Sequence, residues 1–184
     1  MLKSNNPGYL FCFGLGFSSQ ALAKRLISKN WIVSGTSRNK IKESIKELGI
    51  TSYVYDGTGV LPEICDAISK ATHLLISIPP QESGDVVLKH FCSDFVNWKH
   101  LQWIGYISST GVYGDAKGEW VDETSPVNPI TSINCQRVDI ESTWLKLSRE
   151  YDLPVVIFRC VGIYGPGRNL LESVKQGRAR RIVK

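Results

Sequence analysis

The chain has 184 residues, of which 42% are hydrophobic and 21% are charged, and its formal net charge is +5. This composition predicts a globular protein with one sizeable core and excludes a disordered or fibrous chain. The basic residues are spread out except for a final cluster, which consists of Arg178, Arg180, Arg181 and Lys184. We interpret it as a solvated helix face, because no aromatic residues interleave with it. Nucleic acid is therefore not an expected partner.

The cysteines are widely separated, with neither a C-x-x-C pair nor a histidine at metal-ligand spacing: Cys12, Cys65, Cys92, Cys135 and Cys160. Cysteine used in this way, as a small hydrophobe, is typical of a reduced compartment, and no metal site is predicted. The polar start of the chain lacks the apolar segment of a signal peptide. No apolar run approaches the ~18 residues of a membrane span. We expect a cytoplasmic protein without a membrane partner.

A glycine turn near the start organises the sequence. An apolar strand breaks at Gly14 and restarts as a helix, which is typical of a phosphate-binding turn. Gly14 would allow the tight turn, Gly16 would let a pyrophosphate approach, and the free N–H groups around Phe17 and Ser18 would face the anion. Ser19 stands at the third position of G-x-G-x-x-G and is small enough to keep helix and strand packed. A purely structural turn is an equally good interpretation.

The end of the predicted second strand, 31–36, indicates which dinucleotide would bind. NAD-preferring turns are followed by a carboxylate about 20 positions later, which bonds the ribose hydroxyl. Here that place holds Ser37 and Arg38, with no carboxylate nearby. A hydroxyl and a guanidinium suit a 2′-phosphate, so NADP is favoured over NAD. The alternative is that Arg38 is an exposed loop arginine.

The next segments are predicted as a helix at 40–48, a strand at 51–55, a helix at 61–71 and a strand at 73–78. Asp56 follows the third strand, where an acidic residue often lies near the adenine ring. It is equally well explained as turn chemistry with Gly57. Pro79 and Pro80 follow the fourth strand, at the end where ligands bind in such sheets, or they simply terminate it.

The remaining segments are predicted as a long helix at 86–98, a strand at 102–108, a polar loop at 115–129, a helix at 130–151 and a strand at 154–160. Strands and helices alternate throughout, with no internal repeat. The prediction is therefore an α/β fold with a doubly wound parallel sheet, strand order 3-2-1-4-5-6, and helices on both faces.

Three motifs carry a family resemblance: Tyr106–Gly114, Gly118–Pro126 and Phe158–Arg168. They resemble the extended short-chain dehydrogenase/reductase superfamily, and more narrowly its atypical NAD(P)-dependent epimerase/dehydratase-like members. The resemblance implies a Rossmann-type fold and cofactor binding. It implies that Ser109 is the hydroxyl that bonds the reacting carbonyl or alcohol oxygen, with Ser108 at the cofactor.

The resemblance also exposes a departure. The family starts its long helix with a tyrosine and a lysine four residues later, and these exchange a proton at neutral pH. Ile133 and Arg137 fill those places here, and isoleucine cannot transfer a proton. Arg137 could still hold the nicotinamide ribose. Tyr113 is a candidate substitute for the tyrosine, as is Tyr164.

The expected function is that of an NAD(P)-dependent oxidoreductase or epimerase acting on a nucleotide-sugar-like or other small carbonyl substrate. The alternative is a non-catalytic NADP(H)-binding or sensing module. The dinucleotide-binding domain is expected at 1–168. Residues 169–184 would begin a C-terminal substrate region that is truncated or missing by nature. A homodimer through the helices at 86–98 and 130–151 is expected from their surplus of apolar residues, including Trp98 and Trp144, which core packing could equally explain.

Overall fold

The computed structural model describes residues 7–39, 43–59, 61–81 and 83–179. Strands and helices alternate along the chain. The strands are β1 (Tyr9–Phe13), β2 (Ile32–Ser37), β3 (Thr51–Val54), β4 (His73–Ile76), β5 (Trp103–Ser109) and β6 (Val155–Cys160). The α-helices are α1 (Phe17–Ile27), α2 (Glu43–Lys46), α3 (Pro62–Lys70), α4 (Val86–Phe91), α5 (Ser132–Tyr151) and α6 (Leu170–Lys175). Two 3-10 helices cover Cys92–His100 and Thr110–Tyr113.

The six strands form one parallel sheet in the order β3-β2-β1-β4-β5-β6, which confirms the predicted topology. Phe11 at the centre of β1 lies opposite Ser34 of β2 on one side and Leu74 of β4 on the other. The strand order therefore reverses next to β1, and the glycine turn follows the carboxyl end of that strand. Ligands bind at such a switch point in open α/β sheets.

Helices cover both faces of the sheet, as predicted for a doubly wound fold. One face packs α3, α4 and α5 against a core that includes Phe11, Phe13 and Trp144. The other face packs α1 against a smaller cluster around Leu10 and Val33. Strands buried on both faces need continuous apolar runs, which is why β1 and β4 show little polar alternation.

The face that carries α1 is only partly covered by the described helices. Beside α1 it borders an apolar cavity of about 640 Å³, lined among others by Leu22, Trp103, Ile107 and Phe158. The outer strand β6 forms one edge of the sheet. Within the described ranges no helix is both long and apolar enough to cross a membrane.

The prediction of one long helix at 86–98 is wrong. The α-helix ends at Phe91, whose φ of −118° and ψ of 7° lie outside the α region, and a 3-10 helix continues to His100. Trp98 and Trp144 are both buried in the core, so core packing accounts for them. They give no support to a homodimer, which stays a prediction.

The basic cluster near the end of the chain also differs from its interpretation as a helix face. The last helix, α6, ends at Lys175, and Arg178 is exposed beyond it. Arg180, Arg181 and Lys184 lie outside the described residues. The first residues of the helix predicted at 40–48 also lie outside them, and α2 covers Glu43–Lys46.

One buried carboxylate joins α4 to α5. Asp85 Oδ1 accepts hydrogen bonds from the N–H groups of Val87 at 2.7 Å and Leu88 at 3.1 Å. Its Oδ2 accepts one from Trp144 Nε1 at 3.4 Å. Burial raises the pKa of Asp85 above its ordinary value, more than these bonds lower it.

This raised pKa predicts that the free energies of unfolding of the wild type and of an Asp85→Asn variant differ by an amount that depends on pH. The folded state binds the Asp85 proton more tightly than the unfolded state does, so the carboxyl group contributes most stability at acid pH. That contribution is lost as the pH rises from the ordinary pKa through the raised one. We therefore expect the free energy of unfolding of the wild type to fall, relative to Asp85→Asn, over that interval. Urea unfolding of both proteins from acid to neutral pH measures it, and a pH-independent difference would contradict it.

Candidate functional site

The glycine turn between β1 and α1 has the conformation that its sequence predicts. Gly14 adopts φ +94°, which an L side chain rarely adopts, and a Cβ there would lie 3.0 Å from Ser77 Oγ. The Gly14 N–H donates to Thr36 Oγ1 at 3.0 Å, and the Leu15 N–H donates to the Thr36 carbonyl at 2.7 Å. The turn is therefore held against the end of β2.

Helix α1 begins directly after this turn, and no capping side chain or acidic residue offsets the partial positive charge of its N-terminus. Gly16 is its N-cap, makes no side-chain cap hydrogen bond, and is followed by no acidic residue in the first turn. The space that a Cβ would take at Gly16 is open for 4 Å. The N–H groups at the start of this 11-residue helix, around Phe17 and Ser18, can therefore receive an anion.

Ser19, in the third position of the motif, is fully buried. Its Oγ bonds to Ser77 Oγ at 2.9 Å, and Ser77 Oγ donates to the Gly14 carbonyl at 2.7 Å. Ser77 lies just past the end of β4, so this chain of bonds ties α1 to β4 as well as to β1. A small polar residue at position 19 thus joins the helix to the sheet, where glycine would only allow close packing.

A cleft of about 230 Å³ opens at the carboxyl ends of β2, β3 and β4. Its lining residues include Arg38, Tyr55, Asp56, Pro79, Pro80 and Gln81. Four of the residues predicted to bind a cofactor are thus brought together. Ser37 is not among the lining residues, and its hydroxyl donates to the Asn39 carbonyl.

Two of the residues that line this cleft, Tyr55 and Asp56, carry ionisable groups with shifted pKa values. Tyr55 Oη is buried without a hydrogen-bond partner in the described part of the chain, and burial raises the pKa of Tyr55 to about 12. Asp56 Oδ1 accepts hydrogen bonds from Thr58 Oγ1 at 2.6 Å and from the Thr58 N–H at 2.8 Å, which lower the pKa of Asp56. Asp56 therefore both shapes the turn, as one interpretation had it, and lines the cleft, as the other required.

The carboxyl end of β5 carries the two adjacent serines in different environments. Ser108 is buried, and its hydroxyl donates to Glu141 Oε1 in α5. Ser109 is half-buried, and its Oγ accepts a hydrogen bond from the Gly111 N–H at 3.1 Å. The Ser109 proton has no acceptor among the described residues, so Ser109 is the serine with a donor left for a ligand.

The residues in the places of the family's tyrosine and lysine lie on the first turns of α5. Ile133 is 42% exposed, and no proton can be exchanged there. Arg137 Nη1 donates to the Ile107 carbonyl of β5 at 3.1 Å. Arg137 is thus a fixed cation next to the strand end that carries Ser109.

The two tyrosines considered as substitutes for the family's tyrosine differ in burial. Tyr113 is buried; its Oη donates to the Asp122 carbonyl at 2.7 Å and accepts from Arg159 Nη1 at 2.9 Å. Both its hydrogen-bonding directions are in use, which favours a structural role. Tyr164 is 82% exposed in the loop after β6.

That loop returns to the glycine turn. A Cβ at Gly165 would lie 3.0 Å from Phe17 Cζ, and the Arg168 guanidinium carbon lies 5.4 Å from the centre of the Phe17 ring. Phe17, predicted as a pyrophosphate neighbour, is therefore covered on its side-chain face by the glycine-rich motif that follows β6. Its backbone N–H stays at the open end of α1.

Sequence reasoning missed Glu141, Arg159 and Tyr55. Two of them carried a signal: Arg159 interrupts an otherwise apolar strand, and Glu141 lies one helical turn after Arg137 on an amphipathic helix. A charge inside such a run has to find a partner. Tyr55 gave no comparable signal, because a tyrosine at the end of a strand is common in any core.

Comparison with known proteins gives a family match for the second half of the chain. Residues 98–183 match the model of the NAD dependent epimerase/dehydratase family. No curated protein matches the chain.

Several solved structures share the fold. "The structure of a functionally unknown conserved protein from Silicibacter pomeroyi DSS" is 37% identical with a TM-score of 0.76, over 88% of this chain and 56% of that one. UDP-glucuronic acid 4-epimerase from Bacillus cereus in complex with NAD is 16% identical with a TM-score of 0.66, over 85% and 57%. UDP-N-acetylglucosamine 4-epimerase from Methanobrevibacter ruminantium M1 is 17% identical with a TM-score of 0.67, over 84% and 54%.

The chain thus spans little more than half the length of these structures. The two epimerases are too distant in sequence to indicate more than the fold. The Rossmann-type fold that the resemblance implies is therefore confirmed, and residues 98–183 are similar to the NAD dependent epimerase/dehydratase family, in agreement with the resemblance to the extended short-chain dehydrogenase/reductase superfamily.

Proposed function

We propose that this protein is an NADP(H)-dependent oxidoreductase or epimerase that acts on a carbonyl or alcohol of a nucleotide-sugar-like or other small substrate. The observation that supports it best is one of placement. The glycine turn follows β1 and Ser109 ends β5, so the anion site and the available hydroxyl lie at the same edge of the sheet, separated by β4 alone. Residues 1–168 would form the dinucleotide domain, and 169–184 would begin the substrate region.

The residues present fit a dinucleotide. The open start of α1 would hold the pyrophosphate, and the cleft at the carboxyl ends of β2, β3 and β4 would hold the adenosine end. When bound, the nicotinamide supplies or accepts a hydride. Arg137, fixed on the Ile107 carbonyl, would hold the nicotinamide ribose in place of a lysine.

The 2′-phosphate of NADP is favoured over the free ribose hydroxyl of NAD because of Arg38. This residue lines the adenosine cleft, and no carboxylate follows β2 as far as Asn39. A guanidinium can bind a phosphate through two parallel hydrogen bonds. The B. cereus epimerase is in complex with NAD, so coenzyme preference is where this chain would differ from that neighbour.

The chain's own groups account for part of the chemistry. Ser109 would donate a hydrogen bond to the reacting oxygen as negative charge develops on it. Ile133 leaves the usual proton donor absent from α5, and both hydrogen bonds of Tyr113 are taken, so we assign the proton to solvent that enters beside the half-exposed Ile133. Turnover without a fixed acid would be slower by about 10²- to 10⁴-fold, yet possible.

Titration of the chain with NADPH and NADH tests the proposal. We expect tighter binding of NADPH. Arg38→Ala should weaken NADPH by about 10- to 100-fold while leaving NADH nearly unchanged, since one charged hydrogen-bonding group is lost. Arg25→Ala, which removes an exposed arginine of α1 that does not line the cleft, is the matched control. Tighter binding of NADH, or an unchanged ratio in Arg38→Ala, would contradict NADP specificity.

The second candidate is a module that binds or senses NADP(H) without turnover, and the Ile133 side chain is the observation that favours it. Restoring the pair as Ile133→Tyr with Arg137→Lys separates the two functions. If the wild type binds NADPH without oxidising it against a panel of carbonyl compounds while the restored pair turns over, the binding module is correct.

A further inference from the structure

Both oxygens of the Glu141 carboxylate are occupied in the interior of the protein. Glu141 is 3% exposed. Its Oε1 accepts the Ser108 hydroxyl, and its Oε2 accepts Arg159 Nη2 at 2.8 Å and Arg159 Nε at 3.0 Å. A buried carboxylate needs partners of this kind, because an unpaired charge there would be strongly destabilising. One helix residue thus joins β5 and β6.

Glu141 contacts the same end of β5 as Arg137, which lies one helical turn before it in α5. Arg137 binds the Ile107 carbonyl and Glu141 binds the next side chain, that of Ser108. Since residues four apart lie on one face of a helix, α5 forms hydrogen bonds with two consecutive residues of β5. The residue that follows them is Ser109.

Arg159 extends the connection to the polar loop. Its Nη1 donates to Tyr113 Oη at 2.9 Å, and its guanidinium carbon lies 4.8 Å from the centre of the Tyr113 ring. Tyr113 in turn donates to the Asp122 carbonyl, and the Asn128 N–H donates to the Val112 carbonyl at 3.0 Å. The loop at 114–129 is therefore fastened at its middle, through Asp122, and near its end, through Asn128.

We propose that Glu141 is a positioning residue of the site. It withdraws the Ser108 hydroxyl from any ligand, so that Ser109 alone presents a donor, and through Arg159 and Tyr113 it fixes the loop beside that donor. The proposal rests on the proposed function only where it assigns a ligand to Ser109. Its contacts hold whether or not the protein turns over.

Hydrogen exchange of single amides tests the proposal without turnover. In Glu141→Gln we expect the Gly111 and Asn128 amides to exchange at least ~10-fold faster, because their acceptors lie on the segment that Glu141 holds. The Leu15 amide in the glycine turn should not change. Glu150→Gln, an exposed glutamate of the same helix, is the matched control and should alter none of the three.

A second variant covers the case in which Glu141→Gln does not fold. Arg159→Lys keeps a cation beside Glu141 but cannot reach both Glu141 and Tyr113 with a rigid fork. It should accelerate exchange at Asn128 and leave Gly111 unchanged. Equal acceleration at all three amides in either variant, or none at all, would overturn the proposal.

Turnover, where the wild type shows it, adds a readout that simple destabilisation would not give. Glu141→Gln should lower kcat by about 10- to 100-fold through misplacement of Ser109, with the Kd for NADPH unchanged. An equal loss in kcat and in affinity for NADPH would overturn the proposal. A wild type that neither binds nor oxidises NADPH refutes the proposed function instead, and the exchange result then still decides the role of Glu141.

Discussion

Replacing Trp144 by alanine should lower the free energy of unfolding by about 3–5 kcal/mol, the range for a large side chain removed from a well-packed core. The Trp144 side chain is 0% exposed and belongs to the core cluster beneath α5. Its indole N–H also donates to Asp85 Oδ2, so the substitution removes a donor from a carboxylate that is itself buried. Urea unfolding at neutral pH measures the loss.

Trp120→Ala is the matched control for this prediction. Trp120 is 99% exposed on the polar loop, and its removal should change the free energy of unfolding by no more than about 0.5 kcal/mol. Trp144→Phe keeps most of the apolar volume and should fall between the two. If Trp144→Ala lowers the free energy of unfolding no more than Trp120→Ala does, the proposed contribution of the buried Trp144 side chain to stability is refuted.

Replacing Ser109 by alanine should lower kcat by about 10²- to 10³-fold, which is the usual loss of a donor aimed at a developing oxyanion. The Ser108 hydroxyl donates to Glu141, whereas the Ser109 proton has no acceptor in the part of the chain that the structure describes. The proposed pyrophosphate and adenosine sites lie elsewhere on the sheet edge, so the Kd for NADPH should stay the same. NADPH absorbance against a panel of carbonyl compounds measures kcat, and fluorescence titration measures the Kd.

Ser142→Ala on the exposed face of α5 controls for the loss of a hydroxyl in general and should leave kcat unchanged. Wild-type turnover in Ser109→Ala would remove Ser109 from the chemistry. A parallel loss of NADPH binding would place Ser109 at the cofactor instead of the substrate.

The strand order could be predicted from the sequence because it follows from local patterns. Apolar strands alternate with amphipathic helices, and parallel strands joined by helices are restricted to a few right-handed arrangements. The continuation of α4 could not be predicted in the same way. The change to 3-10 geometry after Phe91 leaves an apolar pattern that resembles one longer helix, and only packing in the core distinguishes the two.

The placement of the candidate site residues at one edge of the sheet was predictable from the sequence, but the hydrogen bonds among them were not. The glycine turn, Arg38, Asp56 and the two prolines meet at one edge of the sheet, as their positions after strands required. The difference between Ser108 and Ser109 had no local signal, because it depends on a glutamate 33 positions later along the chain. Long-range hydrogen bonds of buried charges are set by tertiary structure, and a single sequence does not record them.

Thr36 couples the two halves of the proposed dinucleotide site mechanically. It holds Gly14 through its side chain and Leu15 through its carbonyl, and the residues that follow it are Ser37 and Arg38. A backbone shift at the end of β2 would therefore displace the glycine turn directly, even with no ligand bound. If the protein binds NADP(H) as proposed, converting it to NAD(H) will consequently require more than an exchange of residue 38. A grafted segment has to return the threonine's oxygens to the same places, or the affinity shared by both coenzymes falls along with the selectivity.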